Sequence, residues 1–519
     1  MIAEIVDDSK PFTASRAEFE SLVTELEAVR TRELIHSELE DFIEGRGREL
    51  MRLLYQDHLE LRGPGRVSQE VVGADGVVRP FAREREGGFT VIFGKVRHPR
   101  VEFSAPGVPS LVPLEGQLNL PEESYSHGLR QRIAVEASKS SFEEAVTTVE
   151  KMTGVKIGKR QAEELTDRAA QDWDAFYEAR NAALDGDLNK TAAILVLSMD
   201  QKGIVLRKED LRELTRKAAE KRVHKLDKRL TRGEKRNAKR MATVAAVYTV
   251  EPFNRRPEDL LAELRGVQAL ENKVKRPRPE YKRVWATLEQ EMEEVVAEMF
   301  QEAIRRDPGM QKKWVVLVDG NETQIRLIQD QARLIGATID IILDIIHVTE
   351  YLWKAVTTFH KEATPQAESW VTERLLGILH GNVSNVASGI RRSATLNSIP
   401  LAKRQAVDKC ANYLLKYSAY LHYDVYLSAG FPIATGVIEG ACRHLVKDRM
   451  DITGARWSLG GAEAVLRLRS LRSSGDFEDY WRFHEAQEFK RNHSDKYADG
   501  KLPPVNLNPS SQPKLKLVH

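Results

Sequence analysis

The sequence predicts an α/β core, entered through a helical and then β-rich N-terminal region and followed by a long helical stretch. Three observations support this. Runs such as "TAAILVLSMD" and "KKWVVLVDG" are short, apolar and rich in β-branched residues, as strands buried on both faces are. Between and after them, apolar residues recur at helical spacing, from Trp285 to Ile304 and through residues 351–430. With 519 residues, 41% hydrophobic and 30% charged, the chain has material for about two to four domains, each with its own core.

Composition also excludes several classes. The formal charge is only +2, so any signal for nucleic acid must be local. The two cysteines, Cys410 and Cys442, form no CxxC pair, which rules out a disulfide scaffold or a cysteine-based zinc site and fits a reducing cytoplasm. No apolar run approaches the roughly 18 residues of a membrane span. The opening "MIAEIVDDSK" is acidic and polar, unlike a secretory signal.

Taken in order, residues 1–66 form an N-terminal helical region. Phe19, Leu22, Val23, Leu26 and Val29, then Phe42, Ile43, Leu50, Leu53 and Leu54, fall at helical spacing and predict a core pair or a partner-binding pair. Residues 67–130 form a small β-rich region, with Gly and Pro punctuating short aromatic and β-branched runs in "GGFTVIFGKVRHPRVEFSAPG". In residues 131–185, Ser140 or Ser141 caps a helix whose apolar stripe is Phe142, Ala145 and Val149; "MTGVKIG" breaks it and "KRQAEELTDRA" starts another. That layout fits a helix-turn-helix, and equally an ordinary helical hairpin. Lys156, Lys159, Arg160 and Gln161 at its second start are the types that reach phosphates and base edges.

The core begins at 186 and runs to 350. Its first strand ends in Asp200. A basic segment, 207–240, follows with 15 Lys/Arg against 6 Asp/Glu. "MATVAAVYTV" is a second strand, and a Pro/Arg-rich connection leads to an amphipathic helix, Trp285–Ile304. A third strand ends at Asp319, and "TIDIILDIIHVTEYLW" is a fourth that runs into a helix. Residues 351–430 are all helical, 431–485 close the folded part, and 486–519 read as a disordered tail.

In "FPIATGVIEGACRHLVKDRMDITGARW", Glu439 stands alone in an apolar, small-residue run, with Arg443 and Lys447 one and two helical turns on. A solvated helical face gives the same pattern. An aspartate at a single strand end is ordinarily a turn former. Two such aspartates and an isolated glutamate are different if they converge, because like charges raise each other's pKa and need a cation to stay ionised together. Hard divalent ions with oxygen ligands supply it, and a pair of them activates one oxygen and stabilises another in phosphoryl displacement.

The order Asp200, Asp319, Glu439 resembles the DDE triad of RNase H-fold transposases. The surrounding words resemble the ISKra-type transposases of bacterial insertion sequences: "LNLPEESYSHGLRQRIAVEASKSSFEEAV", "KRQAEELTDRAA", "KRMATVAAVYTV", "WVVLVDGNETQI", "DIIHVTEYLWKA" and "PIATGVIEGACRHLVKDRMDITGARWS". The match runs from about residue 85 to residue 485. It implies an α/β RNase H-like catalytic core whose two parts, 186–350 and 431–485, flank an all-helical insertion, 351–430. It further implies a Cys/Asp-x-x-His signature, matched by Asp344 and His347, that supports the site from behind; a core histidine bonded to Asp344 fits the same residues. Trp457 in "GARW" fits a base-stacking role or a core anchor. One departure is the stretch "VEFSAPGVPSLVPLEG", which lacks the cysteine pair of many relatives, so a metal-stapled finger is not expected.

The implied function is a Mg²⁺-dependent DNA transposase, with two ions (replaceable by Mn²⁺) on Asp200, Asp319 and Glu439, and with Arg443 and Lys447 along the DNA backbone. Its expected partners are double-stranded DNA and further copies of itself, as a homodimer or higher oligomer, with no membrane. Its expected place is the cytoplasm, on the nucleoid. An RNase H-type nuclease without strand transfer and a catalytically idle, transposase-derived DNA-binding protein are the alternatives.

Overall fold

The computed structural model describes residues 11–182, 192–221, 238–264, 276–452 and 454–506. Contacts divide the chain into a unit of Met1–Phe176 with Phe477–His519 and a second unit, Tyr177–Asp476. The basic segment 207–240 lies partly outside the described residues.

The first unit opens with α1 (Thr13–Glu27), α2 (Val29–Arg32) and α3 (His36–Arg62). Ion pairs hold α1 to α3: Arg46 reaches Glu18 at 2.8 Å and Glu25 at 2.5 Å, and buried Asp57 accepts from the Ser15 amide at 3.0 Å. Leu22 is buried, but Phe19 is 51% exposed and Val29, Ile43 and Leu54 are exposed as well, so much of the predicted apolar stripe faces outward. After β1 (Arg66–Val67) comes an antiparallel meander of β2 (Phe81–Val91), β3 (Gly94–Ala105) and β4 (Val108–Leu111), then α4 (Pro113–Gln117). Phe89, Val91 and Val96 of the meander pack on Leu59 of α3.

Three helices, α5 (His127–Lys139), α6 (Phe142–Thr153) and α7 (Lys159–Ala169), surround Leu129, Ile133, Val149, Val155, Ile157 and Leu165. Ser141 caps α6 reciprocally with Glu144, and Gly154, at a φ of 72° that favours glycine, ends it. After α8 (Trp173–Ala182), the second unit carries β5 (Ile194–Val205), α9 (Glu213–Glu220), β6 (Lys239–Val250), α10 (Pro257–Leu264), β7 (Glu280–Thr287) and α11 (Met292–Arg306). It continues through β8 (Lys313–Val318), α12 (Glu322–Ile335) and β9 (Ile339–Leu343).

These strands make one mixed sheet in the order β7-β6-β5-β8-β9. β5, β6 and β7 pair antiparallel, whereas β8 and β9 run parallel to β5, the latter two joined by the crossover helix α12. The predicted helix from Trp285 is a correction: Trp285 lies in β7, and the helix starts at Met292. Charge disguised that strand. Buried Arg283 on β7 is satisfied by Glu298 at 2.6 Å and Glu302 at 3.1 Å, both on α11.

A helical block follows: α13 (Ile345–Val356), α14 (Pro365–Leu379), α15 (Val383–Leu396), α16 (Gln405–Lys416) and α17 (Tyr423–Ser428). Then come α18 (Gly436–Ala441), a π-helical stretch (Cys442–Lys447), α19 (Asp448–Met450) and α20 (Leu459–Ser474). α20 covers edge strand β7, with Ser470 and Ser474 hydroxyls and the Glu463 carboxylate accepting from the amides of Ala286, Val284 and Leu288.

The chain then returns to the first unit through α21 (Phe477–Asn492) and β10 (Val505–Asn506), which pairs with β1. This corrects two expectations. The core segment ends near Asp476, not 485, and residues 486–506 are folded: Tyr497 is buried with Val71, Val101, Phe103 and Leu111. Residues 507–519 lie outside the described residues. Among the described residues, no helix is long and apolar enough to cross a membrane.

Candidate active site

The register of the sheet decides where its acids fall. Ser198 pairs with Leu317 and Val318 with Leu343. Asp200 is two residues past Ser198, Asp319 two past Leu317, and Asp344 one past Leu343. The three aspartates therefore stand at one level on adjacent parallel strands, where the sheet changes from antiparallel to parallel neighbours: Asp319 and Asp344 just past the carboxyl ends of β8 and β9, and Asp200 within β5, which runs on to Val205 and so corrects the expected strand end. Ligand-binding groups of α/β sheets collect at such a switch point.

The segment from Phe431 onward closes on this row. Asp344, fully buried, caps α13 through the Ile346 amide at 3.2 Å and accepts from His347 Nδ1 at 2.8 Å. It also accepts from the Thr435 amide at 3.2 Å and the Thr435 hydroxyl at 2.9 Å. Four donors fill the roughly four acceptor sites of a carboxylate. Asp344 is thus a positioning group, tying α13 to the start of α18. Glu439 follows on α18, and donor atoms of Asp344, His347 and Glu439 lie within 4.8 Å of one another. The Thr435 hydroxyl has one proton, and its 2.9 Å contact with Asp344 outcompetes the 3.4 Å contact with Glu439 Oε1. Three residues on, the Cys442 thiol donates to Asp200 Oδ2 at 3.2 Å. Burial, and then the Asp200 charge, push that thiol far up in pKa, so it stays a protonated donor.

Asp319 faces the same neighbourhood. Its Oδ1 accepts from the Asn321 amide at 2.9 Å, and it lines a cleft with His347. The bond to Asp344 raises the His347 pKa, and the Asp319 charge adds to that. Helices hold the loops in place: Gln324 of α12 donates to the Met199 carbonyl at 2.8 Å. Tyr417 of α16 donates to the Gly320 carbonyl at 2.5 Å and Tyr423 of α17 to that of Leu343 at 2.7 Å. Thr435, Cys442, Gln324 and these tyrosines were not foreseen. The tyrosine-dense "NYLLKYSAYLHYDVYL" was the visible signal.

Among the described residues, the donor atoms that come together are those of Asp344, His347 and Glu439, with Asp319 beside His347 and Asp200 bonded to Cys442. Asp200, Asp319 and Glu439 are at least partly exposed, and no Arg or Lys among the described residues pairs with them. Oδ2 of Asp319 and Oε2 of Glu439 carry no hydrogen bond among the described residues. Oxygen donors of this kind suit Mg²⁺ or Mn²⁺.

The expected DNA-contacting residues divide. Arg160 is 90% exposed beside Glu164 at 3.0 Å, Lys156 stands 3.6 Å from Glu150, and Lys159 is exposed. Gln161 serves the fold instead: its Oε1 accepts from the Gly158 amide at 3.1 Å and the Tyr125 hydroxyl at 2.8 Å. Arg443 is exposed near Asp448 at 3.6 Å, and Lys447 is exposed. Their placement on one side with Glu439 assumed α-helical spacing. The π-helical turn, where the Asp448 amide reaches back five residues to Arg443, breaks that phase. Trp457 is corrected from base stacking to a core anchor. It is 7% exposed, its indole donates to the Met450 carbonyl at 3.1 Å, and its backbone bridges to Leu206 beside β5.

No protein-family model and no curated protein matches the chain. Among solved structures it is similar to the Drosophila P element transposase strand transfer complex, at 10% identity and a TM-score of 0.23, covering 73% of this chain and 83% of that one. A TM-score this low does not establish a common fold.

Proposed function

We propose that this protein is a DNA transposase of a bacterial insertion sequence, with an RNase H-like core that cleaves and joins phosphodiesters. One observation carries the reading: Asp200 and Asp319 stand level on adjacent strands of a five-stranded mixed sheet, Glu439 comes up beside Asp344 and His347 at the next strand, and Cys442, three residues after Glu439, bonds Asp200. Mg²⁺ or Mn²⁺ bound there would supply Lewis-acid polarisation of the phosphate oxygens. Asp200 would hold it from within β5, Asp319 from the end of β8 and Glu439 from α18, while Asp344 holds His347 and Thr435 so that α18 starts in the right place. The nucleophiles are water for cleavage and a DNA 3′-hydroxyl for joining. The α6–α7 pair, with Lys156, Lys159 and Arg160 exposed, recognises the terminal inverted repeats, and the active form is a homodimer or larger on DNA, in the cytoplasm on the nucleoid.

The test is a strand-transfer assay of the full chain on paired ends taken from the flanking DNA, with Mg²⁺ or Mn²⁺. Joined products that disappear in Asp319→Asn support the proposal. Cleavage without joining assigns a nuclease. Binding with neither reaction assigns an idle DNA-binding protein.

A further inference from the structure

Beside Asp319 lies an open cleft of about 520 Å³ whose far wall belongs to the helical block, not to the sheet. Its lining brings Asp319, Asn321 and His347 together with Lys409, Asn412 and Lys416 of α16. Lys409, Asn412 and Lys416 are exposed and follow at three- and four-residue steps, so they share one face of the helix. The Asp319 carboxylate lies on one wall and two ammonium groups on the other. A solvated helix face needs no such partition, and a phosphodiester strand does: the bond to be cut belongs at the acid wall and the neighbouring phosphates at the basic one.

We propose that this cleft binds the DNA strand flanking the scissile phosphate, with Lys409 and Lys416 as its phosphate clamp; this rests on the transposase reading above. The seven residue steps from Lys409 to Lys416 span about 10 Å of helix, room for about three phosphates at a rise of about 3.4 Å per strand. Lys416 now pairs with Glu322, but both groups are more than half exposed, and such surface pairs are weak enough to exchange for a phosphate. Among the described residues Lys409 carries no ion pair. The wall behind them is rigid. Tyr413 stacks on Tyr351 with ring centres 3.9 Å apart, and Tyr413 and Tyr417 bond the backbone carbonyls of Asp319 and Gly320. The residues that would grip the strand are therefore fastened to the loop that presents the catalytic acid.

The experiment uses the full chain and the double variant Lys409→Ala, Lys416→Ala, with fluorescein-labelled oligothymidylate as binding probe over a range of salt. Each phosphate contact to a single strand contributes about 0.7 to the slope of log K against log salt, so the variant's slope should be shallower by about 1.4. An unchanged slope and affinity would overturn the clamp. A second variant, Lys409→Gln with Lys416→Gln, keeps the helix-forming, polar surface and should lose the same slope; if it binds as the wild type does, the clamp also fails. Nicking of supercoiled plasmid in Mg²⁺ by wild type and Asp319→Asn separates the two levels. Nicking that depends on Asp319 with an unchanged lysine slope sinks only the clamp. A shallower slope without Asp319-dependent nicking leaves the strand-binding cleft and removes the transposase reading.

Discussion

Two groups of acids, one in each unit, do opposite work. In the first, Arg130, fully buried, meets Glu488 at 2.9 Å; Glu488 meets Arg491 at 2.7 Å; and Arg491 and His484 meet Asp172 at 2.8 and 2.6 Å. Burial alone would raise the Glu488 pKa, but the Arg130 charge and the Arg491 hydrogen bond outweigh it and hold it at about 2. In the second unit, none of Asp200, Asp319 and Glu439 has a guanidinium or ammonium partner among the described residues. The difference separates structural from functional acids. A carboxylate neutralised by the fold has nothing left to offer a ligand, whereas one left uncompensated at a partly exposed edge awaits charge from outside.

The comparison breaks most readily at Glu439. Glu439→Gln should slow Mg²⁺-dependent cleavage at least about 10³-fold, which is about 4 kcal/mol of barrier, while thermal melting is unchanged or slightly higher. A variant that melts several degrees early and still cleaves would make Glu439 a structural acid. Next in size is the opposite case. Glu488→Gln leaves buried Arg130 with only the more distant Glu123, at 3.7 Å, and should cost about 3 kcal/mol in urea unfolding; a loss below about 1 kcal/mol would rank the network with surface pairs.

His347→Ala tests the border between the classes. If the ring orients the site, cleavage slows about 10–100-fold with melting intact; early melting would return His347 to the core.

The smallest effect concerns acid. Burial, reinforced by the Arg130 charge, lowers the His127 pKa from 6.5 to about 4. Above 6.5 the ring is neutral folded or unfolded. As pH falls towards 4 the unfolded chain takes the proton first, so stability declines in that window, and Glu488 adds its own loss only from 4.5 down towards 2. His127→Gln should flatten the decline between pH 6.5 and 4; an equally steep decline would shift the cause to another group.

Four of the five sheet strands were legible because they are apolar runs, and Asp319 at the end of β8 came with them; β5 continues past Asp200 to Val205 because the polar "DQKG" still pairs with β6. β7 was not legible, since "EYKRVWAT" carries Arg283 inward to acids on α11, which no local pattern reveals. The segment after Phe489 hid for the reverse reason: in a polar stretch, Tyr497 alone fills a pocket built some 400 residues earlier in the chain. Asp344 and His347 were visible only through resemblance to a family, because a carboxylate's saturation by Thr435 depends on a contact across 91 positions. Cys442 was read as bookkeeping on redox state, although its thiol holds Asp200. The π-helical turn was unreadable because helical periodicity assumes the very spacing it breaks.

The pairing of β1 with β10 also sets an order in time. The first unit needs residues from both ends of the chain, so during synthesis it waits while the roughly 300 residues of Tyr177–Asp476 emerge. At about 5–20 residues per second, that is a delay of about 15–60 s. Until then Arg130 has no Glu488, and the helices α5 to α7 lack the partner that neutralises their buried charge. A chain cut short on the ribosome would therefore carry a complete sheet with its acids but an unfinished unit around helices α5 to α7.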